Sequence, residues 1–160
     1  MANSLSSNID SAQTSSTTGG AAPAKRSALA RYAPVVARFL LGAVFFVFGL
    51  NGFFNFIPPP PDGVPEGAMK LGAAMAESGY LFPFIKGTEV LCGLLLLSNL
   101  FVPLALVVLM PIVLNILAFH LFLAPDGTGM AVVILAVQLY LAWVYRQAFA
   151  PLLTARTVAR

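Results

Sequence analysis

Charge is scarce in this chain. Only 9 % of its 160 residues are Asp, Glu, Lys or Arg, against roughly 25 % in a soluble domain. Cysteine and histidine are scarcer still, at one each, Cys92 and His120. A lone Cys excludes an internal disulfide, a Cys-x-x-Cys redox pair and a zinc set. A lone His excludes haem ligation by two imidazoles, so any redox centre must be held largely by another molecule. The net charge of +3 comes from basic residues that flank apolar stretches. They form no patch interleaved with aromatics, so no nucleic-acid partner is expected.

Apolar residues fill the space that charge leaves. They make up 59 % of the chain, and the mean hydropathy is +0.87. Four long apolar stretches stand out, at about 35–57, 80–100, 102–123 and 130–150. About 20 residues at 1.5 Å each cross a 30 Å hydrocarbon core, so each stretch is long enough to span. The first is closed by Pro58–Pro61 and the fourth by Pro151, while Pro103 suits the first turn of the third. Ser98-Asn99 leave room only for a tight antiparallel connection between the second and third. The expected fold class is all-α, an integral membrane four-helix bundle whose first partner is the lipid bilayer.

A short extra-membrane helix is expected between spans one and two. Pro65 can open it, Glu66 lies in its first turn and Gly79 can end it. Met69, Ala73 and Ala76 would share one face, with Leu71 and Met75 on another flank. It would either lie on the outer membrane surface or close over a cavity between the spans. Residues 1–27, rich in Ser, Thr, Ala and Gly and without apolar periodicity, read as a disordered tail. Positive charge and an apolar h-region are missing near Met1, so no signal peptide is expected. Residues 152–160 form a second tail. The N-terminal flank holds Lys25, Arg26, Arg31 and Arg38, and the C-terminal flank holds Arg146, Arg156 and Arg160. The opposite loops hold Asp62, Glu66, Glu77 and Asp126 against Lys70 alone. The positive-inside rule therefore puts both termini in the cytoplasm. Arg38 and Arg146 then snorkel to headgroups, and Tyr140, Trp143 and Tyr145 form an inner aromatic belt.

Polar residues inside the spans carry the functional signal, because a charge near the bilayer centre costs about 2.5–3.5 kcal/mol on insertion scales. Counted from the outer ends at 1.5 Å per residue, Asn51 and Lys86 lie about 9 Å deep, Asn115 and Gln138 about 12 Å and Glu89 about 14 Å. One polar residue from every span thus falls in a layer of the outer half, with Asn55 and His120 shallower. Lys86 and Glu89, spaced i, i+3, share a helix face. They form either an internal ion pair that eases insertion or a proton acceptor and ligand anchor. His120 is either an interfacial hydrogen-bonder or a proton exchanger with the outer aqueous face. Asn51, Lys86, Asn115 and Gln138 are the candidate ligand-binding residues, and Glu89 and His120 the candidate catalytic ones; no metal site is expected. The glycines in these spans allow close helix packing, and Gly49 and Gly52 beside Asn51 could also leave room for a ligand.

The run Phe45-Phe46-Val47-Phe48-Gly49-Leu50-Asn51-Gly52, the run Lys86-Gly87-Thr88-Glu89 with Gly93 and the leucines after it, and Pro111 through Asn115 to Phe119-His120 resemble, in this order, the DoxX family. The resemblance covers roughly residues 35–150. It implies a four-helix protein of the bacterial inner membrane, associated with quinol oxidase or thiosulfate:quinone oxidoreductase activity or with oxidative stress. It also implies that Glu89, Asn115 and His120 match the family's polar signature.

Three functions fit these residues. The first is a membrane subunit of a quinone-linked redox assembly. In it Glu89 and His120 handle protons, and Asn51 or Asn115 bonds a quinone carbonyl. The second is a non-enzymatic assembly or anchoring subunit, acting with a protein partner or as a homo-oligomer. The third is a small-solute or lipid transporter.

Overall fold

The computed structural model describes residues 28–61 and 63–153. The tail expected at 1–27 and most of that at 152–160 lie outside the described residues. Every regular element among the described residues is helical: α1 (Ala28–Phe54), α2 (Glu66–Glu77), α3 (Leu81–Leu97), α4 (Val102–Phe122), α5 (Thr128–Val144) and α6 (Arg146–Phe149). Among the described residues, three segments are long and apolar enough to cross a membrane: Tyr32–Phe54, Val102–Phe122 and Pro125–Val144. α3 has 17 residues, the short end of the spanning range. It joins α2 at a 95° bend. The architecture is an all-α membrane bundle.

Helix ends follow from local chemistry. α1 stops at Phe54, three residues before the expected end, because Asn55 turns left-handed (φ 48°). The Asn51 Oδ1 then accepts the N–H of Ile57 at 2.7 Å and holds the chain that leaves the helix. α3 ends in a Schellman turn on Asn99 (φ 59°), in which Leu100 N–H bonds the Leu95 carbonyl at 3.0 Å. The fourth span is shifted from the one expected at 130–150: the apolar segment runs Pro125–Val144, and α5 ends at Val144, not near 150. Arg146 donates to the Trp143 carbonyl at 3.1 Å and stacks 4.8 Å over its ring. The guanidinium therefore closes this helix end locally, where snorkelling alone was expected.

The four long helices form a ring in which α1 touches α3, α3 touches α4, α4 touches α5 and α5 returns to α1. The α1–α3 seam is by far the most extensive and the α5–α1 seam the least. Backbone touches backbone along the first of these. A Cβ at Gly93 would lie 2.5 Å from the Phe46 nitrogen, and one at Gly49 would lie 2.9 Å from the Val90 nitrogen. Glycine gives this approach because nothing projects from its Cα. Toward the N-terminal end of α1 Arg38 turns into the seam, contrary to the snorkelling expected of it. It is buried, and its Nη1 donates to the carbonyl of Leu96 and, at 3.4 Å, to that of Leu97. The Leu96 carbonyl also accepts the Asn99 N–H at 3.3 Å, and a cation is favoured at the C-terminal end of a helix. Outward faces are apolar: Phe84, Phe101, Phe122 and Trp143 are all largely exposed, as lipid-facing residues are.

Gly93→Ala should destabilise the bundle by about 1–3 kcal/mol, because the added methyl group overpacks the seam. Gly87→Ala, whose Cβ meets nothing within 4 Å, should stabilise it by about 0.5–1 kcal/mol. Reversible unfolding in bicelles measures both, and equal effects would contradict the backbone contact.

Candidate functional site

The ion pair expected on α3 is formed. Lys86 Nζ lies 2.8 Å from Glu89 Oε2, with side-chain exposures of 23 % and 4 %. Its geometry is set from α1. A Cβ at Gly52 would lie 2.5 Å from Lys86 Cγ and 2.6 Å from Cδ, so the lysine stem runs through the space the glycine leaves. The room foreseen at Gly52 for a ligand is taken by Lys86.

Two cavities meet at this pair. The first is a cleft of about 320 Å³ between α3 and α4, walled on its third side by α2. Ala68, Leu71, Gly72 and Met75 of α2 face it, an i, i+3, i+4, i+7 stripe that differs from the face expected for this helix. Met69 is instead more than half exposed. The short helix thus covers a cavity while carrying an exposed Glu66–Lys70 pair on its far side. Phe82, Ile85, Ile112 and Phe119 complete an apolar and aromatic wall in which Lys86, Glu89 and Asn115 are the polar members. The second cavity is a chamber of about 210 Å³ inside the ring. All four long helices contribute to it, with Phe45, Ile116 and Ile134 among its apolar residues and Lys86 and Glu89 again in its wall.

The remaining polar residues are engaged elsewhere. Asn51 holds the turn after α1 and lines neither cavity. Gln138 is fully buried and donates through Nε2 to the Leu106 carbonyl at 2.7 Å. This bond ties α5 to α4 at the turn before Pro111. The Gln138 Oε1 has no partner among the described residues. Leu106 precedes Asn115 by nine residues, about 13 Å along α4, so Gln138 lies deeper than the expected layer. His120 sits at the end of α4 with Nδ1 3.0 Å from the Ala124 carbonyl. A carbonyl only accepts, so Nδ1 carries the proton. The ring packs edge-on to Phe119, 5.2 Å between centroids, and stacks against Gly127, where a Cβ would overlap it. His120 lines neither cavity.

Of the six candidate residues, three converge: Lys86, Glu89 and Asn115. The sequence reading offered α2 as a cover over a cavity and Gly52 as room for a ligand, but it foresaw neither the α2 stripe that faces the cleft nor the lysine stem that fills the Gly52 notch. The first was visible as the spacing 68, 71, 72, 75. The second was not visible, since it depends on how α1 and α3 are registered.

Lys86→Met leaves the buried Glu89 carboxylate without its partner and should cost roughly 3–5 kcal/mol. Adding Glu89→Gln should recover most of that loss, because the uncompensated charge is gone. Unfolding of the two single variants and the double variant measures the coupling; additive losses would rule out a direct pair.

Among the described residues no group of three or more His, Cys, Asp or Glu could hold a metal ion. Comparison with curated proteins and with solved structures returned no match. The DoxX family model matches residues 33–124, more than half of the chain. That segment runs from the start of the α1 span to the end of α4, and so includes the glycine seam, the ion pair, α2 and the cleft. The chain belongs to the DoxX family.

Proposed function

We propose that this DoxX-family membrane protein is the quinone-binding subunit of a redox system in the bacterial inner membrane, with both termini in the cytoplasm. The observation that carries the reading is the Lys86–Glu89 pair. It is the polar element that both cavities share, set in walls otherwise made of aliphatic and aromatic side chains. Ligand sites have this composition: apolar walls with a few converging polar groups. Lys86 can donate to a quinone carbonyl, and Glu89 can take the two quinol protons in turn, passing the first to water before it accepts the second. The two electrons of the quinol would pass to a redox centre held by a partner protein.

The arrangement also supports a second reading, an assembly or anchoring subunit. Arg38, Asn51, His120 and Gln138 all direct polar atoms to backbone groups, which orients helices and turns without chemistry. On that reading the Lys86–Glu89 pair has the same role. A transporter has no comparable observation in its favour.

Protein purified with its native lipids should carry quinone at close to one per chain. Glu89→Gln should insert normally yet lose quinone-dependent electron transfer in its own membranes. Wild-type protein devoid of quinone, or a Glu89→Gln variant with undiminished transfer, would favour the anchoring role.

A further inference from the structure

The two cavities that meet at Lys86–Glu89 differ in kind. The cleft adds the Asn115 amide to the pair, and this amide makes no hydrogen bond among the described residues. Three polar groups supply the two to four partners an ordered water needs. Its volume of about 320 Å³ has room for several waters at about 30 Å³ each. The helix that covers it bears the exposed Glu66–Lys70 pair on its opposite face, which puts α2 at the boundary with water.

In the chamber the polar groups are the pair alone, and Lys86 and Glu89 already satisfy each other at 2.8 Å. Val44, Phe45, Phe48, Ile116, Met130 and Ile134 make up the rest of its wall, and apolar cavities stay dry and accept apolar guests. Phe48 on α1 and Met130 on α5 are each more than half exposed, and they flank the least extensive seam of the ring. In a bilayer that seam opens to lipid. At about 210 Å³ the chamber is smaller than the roughly 300–1,000 Å³ of sites for drug-sized ligands. It suits one flat ring with its tail trailing out through the seam.

We propose that the ion pair is a partition between a wet cleft and a dry chamber, and that the chamber binds the ring of a membrane-soluble carbonyl compound of the quinone class. The ligand's class rests on the proposed function; the partition does not. From within the chamber a ring carbonyl accepts a hydrogen bond from Lys86 Nζ. When Glu89 takes up a proton its carboxylate charge is lost and the Lys86 ammonium is released toward that carbonyl. When Glu89 gives the proton to water in the cleft, the carboxylate re-forms and the pair closes again. Ligand and proton thus reach the same two residues from opposite sides.

The test uses the full chain in open membrane fragments, with Cys92→Ser as background and single cysteines at Gly72→Cys in the cleft and Ile134→Cys in the chamber. A Cβ at Gly72 meets nothing within 4 Å, and Ile134→Cys only removes volume, so both should fold. A charged methanethiosulfonate should modify Gly72→Cys at least about tenfold faster than Ile134→Cys, because a thiol in dry surroundings stays protonated and the reagent stays in water. Menadione should slow modification of Ile134→Cys by an apolar maleimide and leave Gly72→Cys unchanged. Equal rates with the charged reagent would overturn the partition. An intact contrast with menadione protecting Gly72→Cys instead would remove the ring from the chamber and leave the quinone reading standing; protection at neither cysteine would remove both.

Discussion

The contact between α1 and α3 is the constraint on which the rest of this protein depends. Gly49 and Gly93 let the two backbones touch, and the consequences appear at both ends of the seam. Where α3 ends, the contact brings Arg38 onto its terminal carbonyls. Toward the start of α3 it lays the Lys86 stem into the space at Gly52 and leaves the ammonium beside Glu89. Neither interaction would survive a seam wider by one side chain. Close approach in a bilayer is driven by packing rather than by exclusion of water, so small residues at the contact have an unusually large effect.

The medium explains how the polar groups are sorted. An unpaired polar group in hydrocarbon costs several kcal/mol, so each one needs a partner within reach. Most find it in backbone carbonyls and amides, at helix ends and beside Pro111. Lys86 and Glu89 differ in bonding each other and not the main chain. They are therefore free to exchange that partner for another without breaking a helix.

Much of this was legible from the residues alone. The apolar stretches near 102–123 and 35–57 correspond to α4 and to the Tyr32–Phe54 segment of α1 within three residues, because length and hydropathy alone define them. The i, i+3 spacing of Lys86 and Glu89 was enough to foresee their pairing. The layer of polar residues was less legible. Depth counted from span ends assumes that helices begin level with one another, and the Gln138–Leu106 bond departs from that assumption. Arg38 was misread for a related reason. Its distance from the membrane's inner edge suggested snorkelling, but it lies on one helical stripe with Gly42, Phe45 and Gly49. That stripe is the face turned to α3.

The sharp turn between α2 and α3 has a consequence for the bilayer itself. A 17-residue helix reaches about 25 Å, whereas the 21 residues of α4 reach about 31 Å. One flank of the molecule is therefore shorter than the hydrocarbon around it, and the other matches it. Lipid beside α3 must thin or tilt to meet the protein, at a cost of fractions of a kcal/mol per ångström of mismatch. The deformation is concentrated where α2 covers the cleft, so acyl-chain length in the surrounding membrane becomes a variable acting on the protein's most polar site.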